Sequence, residues 1–540
     1  MVHNETQIMQ KLAGIKLFLR SHGLFVAFLA LYALLLILYP MGMQAMESYA
    51  YAAAAEGYYN LATTFTVMNE AANIPNFSHY HPNHPLPHLM ASLAFRLAKI
   101  PALQTFQAMN FAGTIAFLCL HYSLALRIFR RALPATLATA LSGFSYAVWA
   151  SALSGEVQML ALAFLLAGFN YLVSFLQAEP DTVNPRLLLA GLFYVIAVAF
   201  HQAAFFVIIP AAVAALMHSR SRRSLSTYAQ ASAIVIFGWA LFYIFLLVLL
   251  LDIQSFSQYL DTLFVYRHIL NRQYGISEWF ALLAGAAMRS IAFADFGLSF
   301  ILALASFLAA LVGFRKLFYS NEPKPVWILL AGLPLFQIGL QLAVRGRPEG
   351  INFWLFLIPC ISIAVVYAFA ESPAGRVFSA ALVVLLACLN LYYFFLPNHR
   401  LDPQQYTYVN GIEVAPNLPA AIVVHEPVLT FAEAWFLGSE SGLRRQTWFM
   451  PCCGERRFEQ HLQSWFHNHE EFLLLSDKIE EAEGWLAANG LTAEILVRRR
   501  GNLAASLVPR SLYFTAAPGE QYPKEILLAR VRHPHKASGN

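Results

Sequence analysis

The chain has 540 residues, of which 59% are apolar or aromatic and only 12% are charged, about half the charge of an ordinary soluble protein. That composition excludes a disordered, collagen-like or disulfide-scaffold protein and a single large soluble enzyme, and a net charge of +5 is too small to point to a nucleic-acid partner. Thirty of the charged residues lie from Pro397 onward, about 21% of that stretch against about 9% before it, so a lipid-adapted domain (1–396) is joined to a soluble one (397–540).

At the N-terminus, Lys11, Lys16 and Arg20 precede an apolar run over 22–40. The run is too long for the core of a signal peptide and has no small-residue cleavage site, so it reads as an uncleaved first helix. With about 20 apolar residues needed per crossing, eleven spans are expected, at approximately 22–40, 104–126, 133–151, 157–176, 187–201, 203–218, 229–251, 296–314, 325–343, 352–370 and 376–396. The apolar stretch from Pro85 to Leu97 is short and interrupted by Pro87, and reads as a re-entrant or interfacial helix. Counting it as a span would reverse everything after it.

Cytoplasmic loops are enriched in Lys and Arg. With the N-terminus inside, eleven spans put Arg127, Arg130, Arg131, Arg220, Arg222, Arg223, Arg315, Lys316, Lys324 and Arg376 inside. The odd number sends the C-terminal domain to the outer face. The expected architecture is therefore a polytopic α-helical membrane protein with an extracytoplasmic C-terminal domain, in a bacterial inner membrane.

Two outer segments, 41–103 and 252–295, exceed ordinary connections of about six residues. Tyr49, Tyr51, Tyr58 and Tyr59 in the first, and Trp279, Leu282, Leu283 and Met288 in the second, recur at helical spacing. Amphipathic helices lying in the membrane interface are expected there, with Arg267, His268, Arg272 and Arg289 as interfacial anchors. Beyond Pro397, AAIVVHE, EEFLLLSD, AEILVRR and KEILLARV read as strands, and ERRFEQHLQSWFHNH and KIEEAEGWLAANG as helices, the second closed by a glycine. No glycine-rich phosphate loop follows any of these strands. Of the five cysteines, Cys119, Cys360 and Cys388 read as core residues of the spans. Cys452 and Cys453 are neighbours, for which a bridge is strained and a zinc site lacks a second ligand pair.

In so charge-poor a domain the ionisable residues at the outer ends of the helices stand out, because each costs free energy unless it is used or paired. Glu47 directly follows the first span, in MESYAY, and His79, His81, His84 and His88 follow around Pro82 and Pro85. Glu156 lies on the short outer connection SALSGEVQML, His201 between two spans at the outer face, and Arg345 and Arg347 in AVRGRPEG after the ninth span. His121 lies inside the second span, where a backbone partner would satisfy it.

The order of first helix, acid, Ser-Tyr-x-Tyr and outer HPNHPL segment resembles the polyprenyl-phosphate-sugar glycosyltransferases of the GT-C class, which include the protein O-mannosyltransferases and the aminoarabinose transferases of lipid A. The resemblance extends to the long outer loops and the outer C-terminal domain. It implies a membrane glycosyltransferase that moves a sugar from a polyprenyl-phosphate donor to a lipid, envelope glycan or protein acceptor at the outer face. In that family an Asp follows the first helix and a second acid follows the third span. The matching residues are Glu47, as base, and Glu156, as its helper, while Tyr49, His81, His84, His201, Arg345 and Arg347 are the candidates for holding donor phosphate or substrate. Glu47 stands where the family usually has Asp, and His201-Gln202 where many relatives have a Lys, so the sugar subclass stays open. No cofactor is required. A divalent metal would fall to His79, His81 and His84, whose spacing matches no zinc signature such as HExxH. The alternatives are a transporter or flippase of lipid-linked glycan precursors, and an O-antigen polymerase or ligase.

Overall fold

A backbone in lipid must satisfy its own polar groups, which leaves the apolar segments little choice but helix. The computed structural model of the chain describes residues 21–40, 48, 51–52, 55–56, 85–155, 157–178, 185–201, 204–219, 222–251, 276–344, 350–400, 421–425, 446–450, 471–476, 478–504 and 521–532. Helices in these regions are α1 (Ser21–Leu38), α2 (Pro85–Ala98), α3 (Ala102–Phe129), α4 (Ala132–Gly143), α5 (Tyr146–Leu153), α6 (Met159–Leu176), α7 (Pro185–Phe200) and α8 (Ala204–His218). They continue with α9 (Arg222–Leu251), α10 (Ile276–Ile291), α11 (Phe296–Phe318), α12 (Lys324–Val344), α13 (Gly350–Phe369) and α14 (Pro373–Asn390), which runs on through a π turn (Leu391–Phe395) into α15 (Leu396–His399). Among the described residues six helices are long and apolar enough to cross a membrane, and five more are apolar but shorter. The chain is a multi-pass membrane protein. α6 is buried along most of its length and forms the centre of the bundle, whereas α9 is almost wholly peripheral.

Long-range contacts sort the helix ends into two sets. At one end, His399 Nδ1 lies 2.9 Å from the Pro40 carbonyl oxygen, with its ring edge-on to Tyr39, so the last helix finishes beside the end of the first. At the opposite end the Arg130 guanidinium donates to Glu322 at 2.8 Å, and the Gln177 amide reaches the other oxygen of that carboxylate at 3.0 Å. Lys316 and Lys324 there donate to the terminal carbonyls of Ala368 and Phe318. Arg130, Arg315, Lys316 and Lys324, all expected on the inner side, thus gather at one end, and the first loop and the C-terminal domain start from the other.

The expected third span is not one helix. It breaks at Phe144–Ser145 into α4 and α5, and three of the carbonyls released inside the bundle are met by side chains. The buried Tyr32 hydroxyl of α1 donates to Gly143 O at 2.9 Å, the Ser145 hydroxyl to Ser142 O at 2.6 Å, and the Asn390 amide of α14 to Phe144 O at 2.8 Å. Irregular backbone at membrane depth is tolerated only where protein groups pair with it in this way. Asn390, itself fully buried, also donates to Ile291 O (3.3 Å) and accepts from Phe293 N (2.7 Å), so a single side chain ties α14, the α4–α5 break and the α10–α11 connection together. Aromatic rings fill the space around it: Tyr146 stacks on Phe293 and Trp149 on Phe395.

Other expectations need correction. The last two turns of α10 are buried, and Arg289 is no surface anchor. The Arg289 guanidinium is packed over the Phe293 ring at 5.0 Å and donates to the Ala294 carbonyl. Of the three span cysteines only Cys360 is a core residue, while Cys119 and Cys388 are on exposed helix faces. His121 does find a backbone partner, with Nε2 3.2 Å from Pro359 O.

The C-terminal part forms a five-stranded sheet in the order β2-β1-β3-β5-β4, from β1 (Ala421–His425), β2 (Gln446–Met450), β3 (Glu471–Ser476), β4 (Thr492–Ala504) and β5 (Gln521–Arg532). β1 is parallel to β2 and β3, and β5 is antiparallel to β3 and β4. Alternate residues face opposite sides. Phe472, Leu474, Leu527 and Val531 pack on α16 (Ile479–Ala488), whereas Leu473, Leu475, Ile526 and Leu528 join the same apolar cluster as the helices. Gly490, at φ 61°, ends α16 as expected. β2 was not anticipated, and the expected helix over 455–469 lies outside the described residues.

Candidate active site at the first-loop end

Glu47, Tyr49, His79, His81, His84, Glu156, Arg345 and Arg347 lie outside the described residues, but the residues that flank the two acids do not. Ser48, next to Glu47, is fully buried. A Cβ built on Gly155, next to Glu156, would come within 2.8 Å of Ser48 Cβ and 2.8 Å of Leu103 Cδ1, closer than real side chains approach. The absence of a side chain at Gly155 therefore lets the start of the first loop, the start of α3 and the end of α5 meet. Two acid-bearing segments 107 residues apart by their Ser48–Gly155 positions are in contact.

The segment that carries Glu156 is held at both ends by one side chain. Asn110, fully buried on α3, donates from Nδ2 to Ser154 O at 2.7 Å and accepts at Oδ1 from Met159 N at 3.3 Å. One turn further along α3, Gly113 lets the backbone of α6 approach directly, since a Cβ there would lie 2.6 Å from Leu160 N. Asn110→Leu removes both clamps and leaves two buried backbone groups unpaired, a cost of about 1–3 kcal/mol for each group. The expected result is a protein that still assembles in the membrane but with a lowered melting temperature and a Glu156 segment newly open to proteolysis, checked by size-exclusion profile and limited proteolysis on the same preparation. Wild-type protection of that segment would mean that Asn110 does not hold it.

The first loop is anchored a second time. The buried Glu56 carboxylate accepts from Ala102 N at 2.6 Å, at the N-terminus of the 28-residue α3, where the helix dipole favours a negative charge. Tyr51 meets the His88 ring edge-on at 5.3 Å, and His88 in turn lies against Phe106 of α3 at 5.3 Å. Neither Glu56 nor Asn110 was singled out from sequence. The available signal was an acid inside an alanine-rich run and an amide inside an apolar span.

His201 is described and buried. It follows the last turn of α7, with its ring 6.1 Å from Phe356 of α13. Phe356 is six residues past the start of α13, about 9 Å along the helix, so His201 is set against the element that directly follows the Arg345–Arg347 segment. Among the described residues no three His, Cys, Asp or Glu side chains converge as a metal set, and His79, His81 and His84 are not among those residues.

No protein-family model matches the chain, and no curated protein matches it in sequence. Its fold is similar to that of ArnT from Cupriavidus metallidurans bound to undecaprenyl phosphate, with a TM-score of 0.54 at 11% identity, over 94% of this chain and 98% of that one. The chain has the GT-C glycosyltransferase fold. The apo form of the same ArnT gives 0.53 over the same shares. The Archaeoglobus fulgidus oligosaccharyltransferase, in complex with zinc and sulfate, gives 0.49 at 12% identity, over 86% of this chain and 69% of that one. Coverage of nearly all of both chains for ArnT means that the GT-C fold here includes the C-terminal sheet as well as the helices.

Proposed function

We propose that the chain is a membrane glycosyltransferase that takes a sugar from a polyprenyl-phosphate donor and places it on a lipid, glycan or protein acceptor at the face from which the first loop emerges. The observation that carries this reading is the contact of Ser48 with Gly155, neighbours of Glu47 and Glu156, on a chain with the GT-C fold. ArnT, similar in fold, has been seen bound to undecaprenyl phosphate, which supports a lipid phosphate as the donor's carrier.

In the proposed step the acceptor hydroxyl attacks the anomeric carbon as the bond from that carbon to the phosphate oxygen breaks. The bonding pair leaves with the lipid phosphate, and the hydroxyl proton passes to the Glu47 carboxylate, a general-base role. The sugar passes through an oxocarbenium-like state, as in glycosidases. Glu156 orients the acceptor or the base. Arg345 and Arg347 meet the charge that develops on the departing phosphate, with His201, His81, His84 and Tyr49 completing the donor site. No step needs a metal.

Eleven crossings with the N-terminus in the cytoplasm belong to this reading. The alternation of helix ends between two sets supports it, as does the gathering of Arg130, Lys316 and Lys324 at the end opposite the first loop. The reaction and the C-terminal domain are then extracytoplasmic. The test is mass spectrometry of lipids, envelope glycans and glycoproteins from cells with and without the protein. Loss of one sugar mass from one acceptor class is expected. An unchanged envelope, together with altered amounts of lipid-linked precursor on the two membrane faces, would instead identify a flippase.

A further inference from the structure

At the end of the bundle opposite the first loop, α3, α6 and α7 enclose a cleft of about 440 Å³. Its size falls in the range of ligand sites, roughly 300–1,000 Å³. Its lining includes Arg127, Arg186, Ser123, Asn170, Tyr171 and Gln177, an unusual density of polar groups for a domain with so few. None of these residues belongs to the proposed transfer site, which lies at the other end.

Three features of the cleft point to a ligand. Arg127 has no ion-pair partner among the described residues, although Arg130, one turn on, is neutralised by Glu322. Arg186 is held across the cleft by donation from Nη1 to Ser174 O at 3.3 Å. Asn170, only 7% exposed, spends both amide hydrogens on Leu120 O (2.8 Å) and Leu166 O (2.9 Å), and its Oδ1 is left without a hydrogen bond. A buried acceptor without a donor is costly, and in native structures such a group calls for a specific explanation. The cleft therefore offers the Arg127 guanidinium to an anion, with Arg186 held at its rim, and one acceptor to a hydroxyl. On the outer side of α7, Leu189 and Leu192 are exposed and continue from Arg186 at three-residue spacing. They give an apolar path for chains that run from the cleft into the bilayer.

We propose that this cleft binds the phosphodiester headgroup of a membrane lipid from the leaflet at that end, of the hydroxyl-bearing type found in phosphatidylglycerol. Arg127 takes the phosphate, Asn170 Oδ1 accepts from a headgroup hydroxyl, and the acyl chains lie along Leu189 and Leu192. Basic recesses between membrane helices are a recurring setting for anionic headgroups. This site does not depend on the transfer reaction.

The full chain, stripped of lipid in detergent and then given dioleoyl phosphatidylglycerol or dioleoyl phosphatidylcholine, can be read by native mass spectrometry. One phosphatidylglycerol should be retained per chain, in preference to phosphatidylcholine. Arg127→Gln, at an exposed position, should weaken retention about tenfold, as for the loss of one charge-assisted hydrogen bond. Ser123→Trp, which fills the cleft but keeps both cations, should abolish it, and Arg315→Gln, outside the cleft, should leave it unchanged. Equal retention of the two lipids, equal retention by wild type and Ser123→Trp, or displacement of the lipid by millimolar inorganic phosphate would each overturn the assignment. The last result would identify a site for a soluble phosphate instead.

Discussion

Asn390→Leu is expected to be the most destabilising single substitution in the helical domain. The two side chains are of similar size, so the change removes hydrogen bonds with little change in packed volume. Three backbone groups lose their partner at once: Phe144 O, Ile291 O and Phe293 N. They belong to the α4–α5 break and to the α10–α11 connection, where the helices themselves supply no substitute. Each buried unpaired group costs about 1–3 kcal/mol, so the total is on the order of 5 kcal/mol, enough to unfold a marginal protein. Thermal unfolding in detergent, followed by size exclusion, should show a large fall in melting temperature and in monodisperse yield. Tyr32→Phe, which frees Gly143 O alone, should cost about 1 kcal/mol. If Asn390→Leu melts with the wild type, the break is held by packing of Tyr146, Trp149 and their aromatic partners rather than by this amide.

Glu47→Gln is expected to abolish transfer without loss of fold. The substitution keeps size and polarity and removes only the basic oxygen. General-base catalysis typically contributes about 10²–10⁴ in rate, so residual turnover near or below a hundredth of wild type is anticipated. The measurement is single-turnover transfer from a polyprenyl-phosphate sugar by the full chain in liposomes, with donor binding measured in parallel. Retained binding with lost transfer supports a base. Glu156→Gln should lower the rate less, because its assigned role is to orient. Wild-type turnover in Glu47→Gln would remove Glu47 from the mechanism, and the carboxylate of Glu56 is no ready substitute, since it is already engaged at the start of α3.

Much of the helical domain was legible because the requirement for a crossing is local: an unbroken apolar run of sufficient length, readable without any knowledge of neighbours. The same holds for β3 and β5, whose FLLL and ILLA cores are apolar at every position because both faces of the sheet are covered. What misled is equally physical. The span over 133–151 carries no charge and is apolar on average, so hydropathy could not register a break at Phe144–Ser145 that depends on Tyr32 and Asn390 from 111 and 246 residues away. Arg289 resembled an interfacial cation because its partners, a ring and a carbonyl, leave no charge pattern in the sequence. β2 is a short edge strand whose identity comes from its pairing with β1.

The sequence by itself determined that this is a charge-poor membrane chain with a charge-richer C-terminal portion, and roughly where most of its apolar helices lie. Composition and apolar run length are properties of each segment alone, and they survive without a fold. Only the tertiary structure decided that the segments bearing Glu47 and Glu156 meet, that Gly155 is the position where they can do so, and that Asn110 clamps the second of them. Those are contacts between residues dozens to hundreds of positions apart, set by shape and by the need of each buried polar group for a partner, and no local pattern encodes them.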